Sequence, residues 1–341
     1  VRNQPHKPNS EDIARLAGVS RSTVSRVING YANVPEITRA RVMDAIERNG
    51  YYPSISGQTL RGKRARCIGV FLGEHGWRDE AQAALLYAFS QSSQALGYMT
   101  LSCRVGDFST PACGRRVREI LCSGCVDAGI FVNPTGGEAL IRQLLREGQT
   151  IGALGKSGEN GHERLFTLEL DLAIANQTVL YVQSQGYRQA SLLGDFNVCP
   201  EDHRMLDHLS NVAEQAKIEL TPQPKEDHLL LDEIAGTILA SGQTPKLVIC
   251  ADQASAYAAY RAAHRLKLAV GKQVSILGMG FLPMDLPLLP KLTAFRFDPE
   301  QMVDSLTGRM IRTMEGAVGE VRHERIPCQW TEGESCVRYP E

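Results

Sequence analysis

Apolar positions near the start of the chain recur at helical spacing in three short blocks. Asn9, with Asp12 three residues on, reads as a capping box ahead of Ile13, Ala14 and Leu16. Gly18 stops that helix, and Ser20 caps a second one from about Arg21 to Asn29, with Val24, Val27 and Ile28 as its apolar side. After a loop over 30–34, Pro35 stands where a first-turn proline is tolerated, and a third helix runs to Asn49 with Val42, Ala45 and Ile46 inward. Gly50 ends it. Helix, tight glycine-containing turn, helix is a helix-turn-helix pattern. Over 51–66 the periodicity stops: Pro53, Gly57, Gly62 and four basic residues leave only Ile55 and Leu60 as sizeable aliphatics, which predicts a linker.

From Cys67 onward short apolar runs alternate with helical patterns. Strands are predicted over 67–73, 99–103, 126–132 and 150–154, with helices near 79–96, 114–123 and 137–147. A second series of strands follows over 166–170, 190–194, 228–231, 246–250, 274–279 and 292–297, with helices near 173–185 and 201–217 among those between them. Alternation at this spacing predicts an α/β body of two lobes, each a parallel sheet covered by helices. A ligand would sit between the lobes, at the carboxyl ends of the strands. The expected domains are a helix-turn-helix head over 1–52, a hinge over 53–66 and a two-lobed body over 67–341.

Composition supports packed domains: 43% of residues are hydrophobic and 22% charged, which excludes a disordered, collagen-like or disulfide-scaffold chain. No apolar run reaches the roughly 18 residues of a membrane span, so no membrane partner is expected. The net charge of −1 argues against nucleic acid until it is divided. Residues 1–66 hold 12 Lys and Arg against 5 Asp and Glu, a balance of +7, and residues 67–341 hold 25 against 33, a balance of −8. A basic head on an acidic body is the asymmetry of a chain that meets a polyanion at one end only. Residues 1–10 are polar and carry no secretory apolar stretch, so the expected location is cytoplasmic. The nine cysteines have no regular spacing, and Cys122-x-x-Cys125 lacks the second pair that zinc would need. Reduced thiols are the expectation, and no cofactor is expected.

The second helix carries the chemistry. With Val24, Val27 and Ile28 turned inward, Arg21, Ser22, Ser25, Arg26 and Asn29 lie on the opposite side, where they can enter a major groove. Arginine reads guanine O6 and N7 with two bonds, and asparagine does the same for adenine. Ser20 and Thr23, near the helix N-terminus, suit phosphate.

These residues, D-I-A-R-L-A-G-V-S-R-S-T-V-S-R-V-I-N-G over 12–30, then T-R-A-R-V over 38–42 and G-Y-Y-P over 50–53, resemble the headpiece of the lactose-repressor (LacI/GalR) family of transcriptional regulators. The remainder resembles that family's effector domain, which is similar to periplasmic sugar-binding proteins. The resemblance implies a homodimer on a pseudo-palindromic operator, with the body dimerising and binding a small-molecule effector. It also implies a hinge that turns helical on DNA and presses Leu60 into the minor groove. This hinge reads Gly57-Gln58-Thr59-Leu60 where members carry an Ala-led sequence, and Gly for Ala costs a helix about 0.5–1 kcal/mol.

The body departs further. Sugar-binding members carry an Asp-Asn pair at the lobe crossover, where this chain has Asp171-Leu172. Their Ala-Asn-Asp is Cys250-Ala251-Asp252 here, their glycine-led acidic pair is Gly278-Met279-Gly280-Phe281, and a glutamine near the last crossover is Phe297. Arg204 stands where the family has an effector-contacting arginine, and Lys156 where many members place an acid. Two cations in a cleft short of acids suggest an anionic effector, a sugar phosphate or organic acid. Further contacts are expected from His75 and Trp77, in the loop after the first strand. Enzyme signatures are missing: Gly155-Lys156-Ser157 lacks the glycine a phosphate loop needs at position 150, which is Thr150. His203 and His208 are five apart, off a shared helix face.

Overall fold

Asn9 Oδ1 accepts the main-chain N–H groups of Glu11 and Asp12, and Asp12 Oδ2 accepts from Asn9 N at 3.0 Å. That reciprocal box opens α1 (Ser10–Ala17), and Gly18 closes it at φ 63°, a left-handed conformation that costs glycine nothing. Ser20 Oγ accepts from Thr23 N at 3.2 Å as α2 (Arg21–Ile28) begins, and Pro35 leads into α3 (Glu36–Asn49). Ile13, Val24, Val27 and Val42 belong to one buried cluster, with Ile28 and Ile46 packed half-buried against it. The three helices therefore share a single small core.

The computed structural model describes residues 8–28, 30–51, 64–73, 79–158, 161–194, 200–224, 231–241, 246–281 and 287–339. The chain divides into two units, Val1–Ala65 and Arg66–Glu341. In chain order the second unit runs β1 (Cys67–Gly73), α4 (Asp79–Ala95), β2 (Met99–Gly106), α5 (Pro111–Cys122), β3 (Ala128–Val132), α6 (Glu138–Arg146), β4 (Ile151–Leu154) and β5 (Leu165–Leu170). It continues with α7 (Ala173–Ser184), β6 (Gln189–Gly194), α8 (Pro200–Gln215), β7 (Glu219–Pro224), α9 (Leu231–Ala240), β8 (Lys246–Asp252) and α10 (Gln253–Arg265). The last elements are β9 (Val274–Phe281), β10 (Thr293–Phe297), α11 (Pro299–Met314), β11 (His323–Ile326) and β12 (Gln329–Thr331).

The strands form two six-stranded sheets, ordered β11-β5-β4-β3-β1-β2 and β12-β10-β9-β8-β6-β7. Every pairing is parallel except β10 with β12. The inner strands β1, β3 and β4 are buried at every position, as a parallel sheet covered on both faces requires. The α/β architecture and the helix-turn-helix head match the fold class expected from the sequence.

Three placements differ from the sequence reading. Residues 166–170 open no second series: β5 pairs with β4, Ile151 opposite Leu165, and completes the first sheet's interior. Strand–helix alternation does not encode which sheet a strand joins. The strand expected at 228–231 is not where the second sheet finds its partner: β6 pairs with β7 at 219–224, and Leu231 opens α9. Residues 228–230 lie outside the described residues. Pro222 and Pro224 hide β7 from a pattern search, but β7 is an edge strand, where missing N–H groups are tolerated. Third, Pro111 sits in the first turn of α5 behind a Thr110 cap, so that helix starts three residues before the expected 114.

The chain crosses between the sheets after β5, after β10 and again after β11. α11 returns to the first sheet and packs on α4, β4 and β5, and a side chain at Gly152 would run into Met310 Sδ. The C-terminal segment is then sewn to the second lobe. Val337 N donates to Ser275 Oγ at 2.8 Å, Tyr187 Oη to Val337 O at 3.0 Å and Tyr339 N to Gln185 O at 2.7 Å.

Candidate nucleic-acid interface and effector site

The start of α2 is a knot of hydroxyls. Ser20 Oγ lies 2.8 Å from Ser22 Oγ and 2.9 Å from Thr23 Oγ1, while accepting the Thr23 N–H. Val24 and Val27 fix the inward face, which leaves Arg21, Ser22 and Arg26 exposed and Ser25 half-buried. Arg21 Nη1 reaches Glu11 Oε1 at 3.2 Å with both side chains exposed, a surface pair worth little, which a phosphate could replace. Anionic groups suit this end of the helix, where main-chain N–H groups point outward. Asn29 and Leu60 lie outside the described residues.

In the second unit the candidates fall on the carboxyl edges of the two sheets. Lys156 is exposed two residues beyond β4, and Asp171 follows β5 directly, so both stand on the same edge of the first sheet. Asp171 Oδ1 accepts from Ala173 N at 2.9 Å as α7 begins, and its own N–H bonds Ile326 O at 3.1 Å. On the second sheet, Asp252 ends β8 and caps α10 in a capping box with Ser255. Cys250, two residues earlier, is fully buried, and burial holds its thiol well above the ordinary range. Phe297, at the end of β10, is buried in the core cluster that also holds Met279 and Met302. Arg204 is exposed on α8. Both carboxylates thus serve helix starts, and the edge of the first sheet presents an ammonium. His75 and Trp77 lie outside the described residues.

One residue of this edge escaped the sequence reading. Asn133 follows β3 in a left-handed conformation, φ 49°, and is 2% exposed. Its Oδ1 accepts from Thr135 Oγ1 at 3.1 Å, while Nδ2 has no hydrogen-bond partner among the described residues. A buried amide donor left unmatched on the edge where open α/β sheets take ligands is a candidate binding group. Its signal was asparagine itself, a residue that tolerates φ above zero, directly after an apolar strand. Among the described residues no group of three His, Cys, Asp or Glu side chains could hold a metal, and no helix is long and apolar enough to cross a membrane.

Residues 11–54 match the family described as bacterial regulatory proteins, lacI family, and residues 179–336 match the periplasmic binding protein-like domain. Catabolite control protein A of Staphylococcus epidermidis (strain ATCC 12228 / FDA PCI 1200) is 28% identical over 210 residues, spanning 61% of this chain and 62% of that protein. The HTH-type transcriptional regulator MalR of Streptomyces coelicolor (strain ATCC BAA-471 / A3(2) / M145) is 26% identical over 322 residues, 90% of this chain and 89% of that protein. A crystal structure of the Lac repressor dimer bound to operator and the anti-inducer ONPF aligns with a TM-score of 0.80 and 20% identity, over 97% of this chain and 100% of that one. At that identity the structural likeness speaks for the fold.

Proposed function

The chain belongs to the lacI family of bacterial regulatory proteins, and from that premise we propose that it is a repressor whose hold on operator DNA is set by a small anionic effector. It is a DNA-binding transcriptional regulator and not an enzyme. In this reading α2 lies in the major groove of each half-site. Arg21, Ser22, Ser25, Arg26 and Asn29 face base edges, and Ser20 and Thr23 face phosphates. Leu60 enters the minor groove. Two copies, joined through their bodies, meet a pseudo-palindrome as operator symmetry requires. Arg26→Ala should weaken binding to a selected operator by about 1–3 kcal/mol in a mobility-shift titration, and an unchanged affinity removes α2 from the groove.

The observation that favours an anionic effector is the division of charge along the strand ends. Asp171 and Asp252 are engaged at the starts of α7 and α10, while Lys156 is exposed on the same edge as Asp171. Lys156 and Arg204 would then bind a phosphate or carboxylate, Asn133 Nδ2 would donate to a neighbouring oxygen, and His75 and Trp77 would flank the ligand. Asp252 and Phe297 would form the wall on the second lobe. Such a ligand acts by binding one arrangement of the lobes better than the other. Calorimetry with matched neutral sugars and sugar phosphates tests this. Binding of a phosphate ester that is lost in both Lys156→Met and Arg204→Met supports the reading, and binding of the neutral sugar that both variants retain refutes it.

A further inference from the structure

The turn after α5 places two thiols at the surface beside the point where the chain enters its second unit. Cys122 is the last residue of α5, Ser123 follows in the right-handed region, and Gly124 reverses the chain at φ 74°. Ser123 Oγ donates to Ile120 O at 2.7 Å and accepts from Cys125 N at 3.2 Å, so the reversal is held at both ends. Cys122 and Cys125 are free thiols, and both are exposed. The two cysteines stand three residues apart across the reversal, and a disulfide needs their Cα atoms about 4.4–6.8 Å apart.

The next residues tie this turn to the first strand. Asp127 N donates to Cys67 O at 2.8 Å, and Asp127 Oδ2 accepts from Arg66 N at 2.7 Å. Arg66 O in turn accepts from Met99 N at 2.8 Å. Asp127 therefore grips, from two residues past Cys125, the two residues with which the second unit begins. Cys67 is a poor competitor for reaction: it is buried, and burial first, with Asp127 and Cys125 adding, pushes its thiol up.

We propose that Cys122 and Cys125 are a peroxide-sensitive thiol pair that closes reversibly into a disulfide across this turn and loosens the anchor at Arg66. Hydrogen peroxide is the oxidant. One thiolate attacks its O–O bond and becomes a sulfenic acid, releasing one water once protons are balanced. The second thiol displaces a second water from that sulfenic acid as the S–S bond forms. Two thiols and one peroxide give one disulfide and two waters, and a dithiol reductant restores the pair by exchange.

The test uses the full chain, reduced, treated with hydrogen peroxide and mapped by non-reducing mass spectrometry. The expected product has lost the mass of two hydrogens in the segment joining Cys122 to Cys125 and regains it in dithiothreitol. Cys122→Ser and Cys125→Ser should each fail to form it while melting as the reduced wild type does. Amide hydrogen exchange in the peptide over 64–70 should accelerate about tenfold on oxidation of the wild type and not of Cys125→Ser. The proposal is overturned if both thiols stay free, if the bridge maps to Cys67 and Cys125, or if the bridge forms and exchange over 64–70 does not change.

Discussion

Asp252 Oδ1 accepts from Ser255 N at 2.7 Å, and Asp252 N donates to Ser255 Oγ at 3.1 Å. A carboxylate used in this way carries two possible roles, and substitution can separate them. Asp252→Ala should cost about 1 kcal/mol of stability in chemical denaturation, the ordinary loss of an N-cap, whereas Asp252→Asn should keep almost all of it. If Asp252→Asn nonetheless weakens effector binding, the carboxylate contacts the ligand as well as the helix. At this scale the sequence was informative about local pairs and poor about remote ones. The Asn9–Asp12 box was legible because its partners are three residues apart. The unmatched Nδ2 of Asn133 was not, because it depends on which atoms other strands bring to it.

Among the elements, the crossings between sheets were the least legible. The strand–helix rhythm named nearly every element of the body, since burial on both faces leaves continuous apolar runs such as residues 67–73. It could not assign β5 to the first sheet, and it passed over β7, β11 and β12, which are short or polar and draw their stability from neighbours distant in sequence. The C-terminal segment is the clearest case, because its bonds to Ser275, Ile276 and Gln185 cross long stretches of chain. Cys336 reports on that segment. Burial, outweighing its hydrogen bonds, pushes its thiol from 9.0 to about 11. A group whose folded pKa is raised stabilises fully below its unfolded value and loses that contribution as pH climbs to the folded one. The wild type should therefore lose melting temperature between about pH 9 and 11 more steeply than Cys336→Ala does. Parallel slopes in the two proteins would mean that the segment opens before the thiol ionises.

For the whole molecule the division of charge decides how DNA binding responds to salt. The first 66 residues carry +7 and the remainder −8, so long-range attraction to DNA comes from the head while the body opposes it. Each phosphate neutralised releases counterions, and log affinity falls against log salt by about 0.9 per phosphate. Arg21 and Arg26 are both exposed on α2, but Arg21 already rests on Glu11 near the helix start, whereas Arg26 projects from the last turn. In the proposed reading both face base edges, and a base contact and a phosphate contact respond differently to salt. Loss of a phosphate contact lowers the salt slope by about one unit and weakens selected and random duplexes alike. Arg21→Ala and Arg26→Ala should instead each leave the slope nearly unchanged and narrow the gap between the two duplexes. Affinities measured across a salt series, for a duplex selected from a random pool and for a scrambled one, distinguish the roles. The phosphate signature in either variant would place that arginine on the backbone, and so would turn α2 about its own axis in the groove.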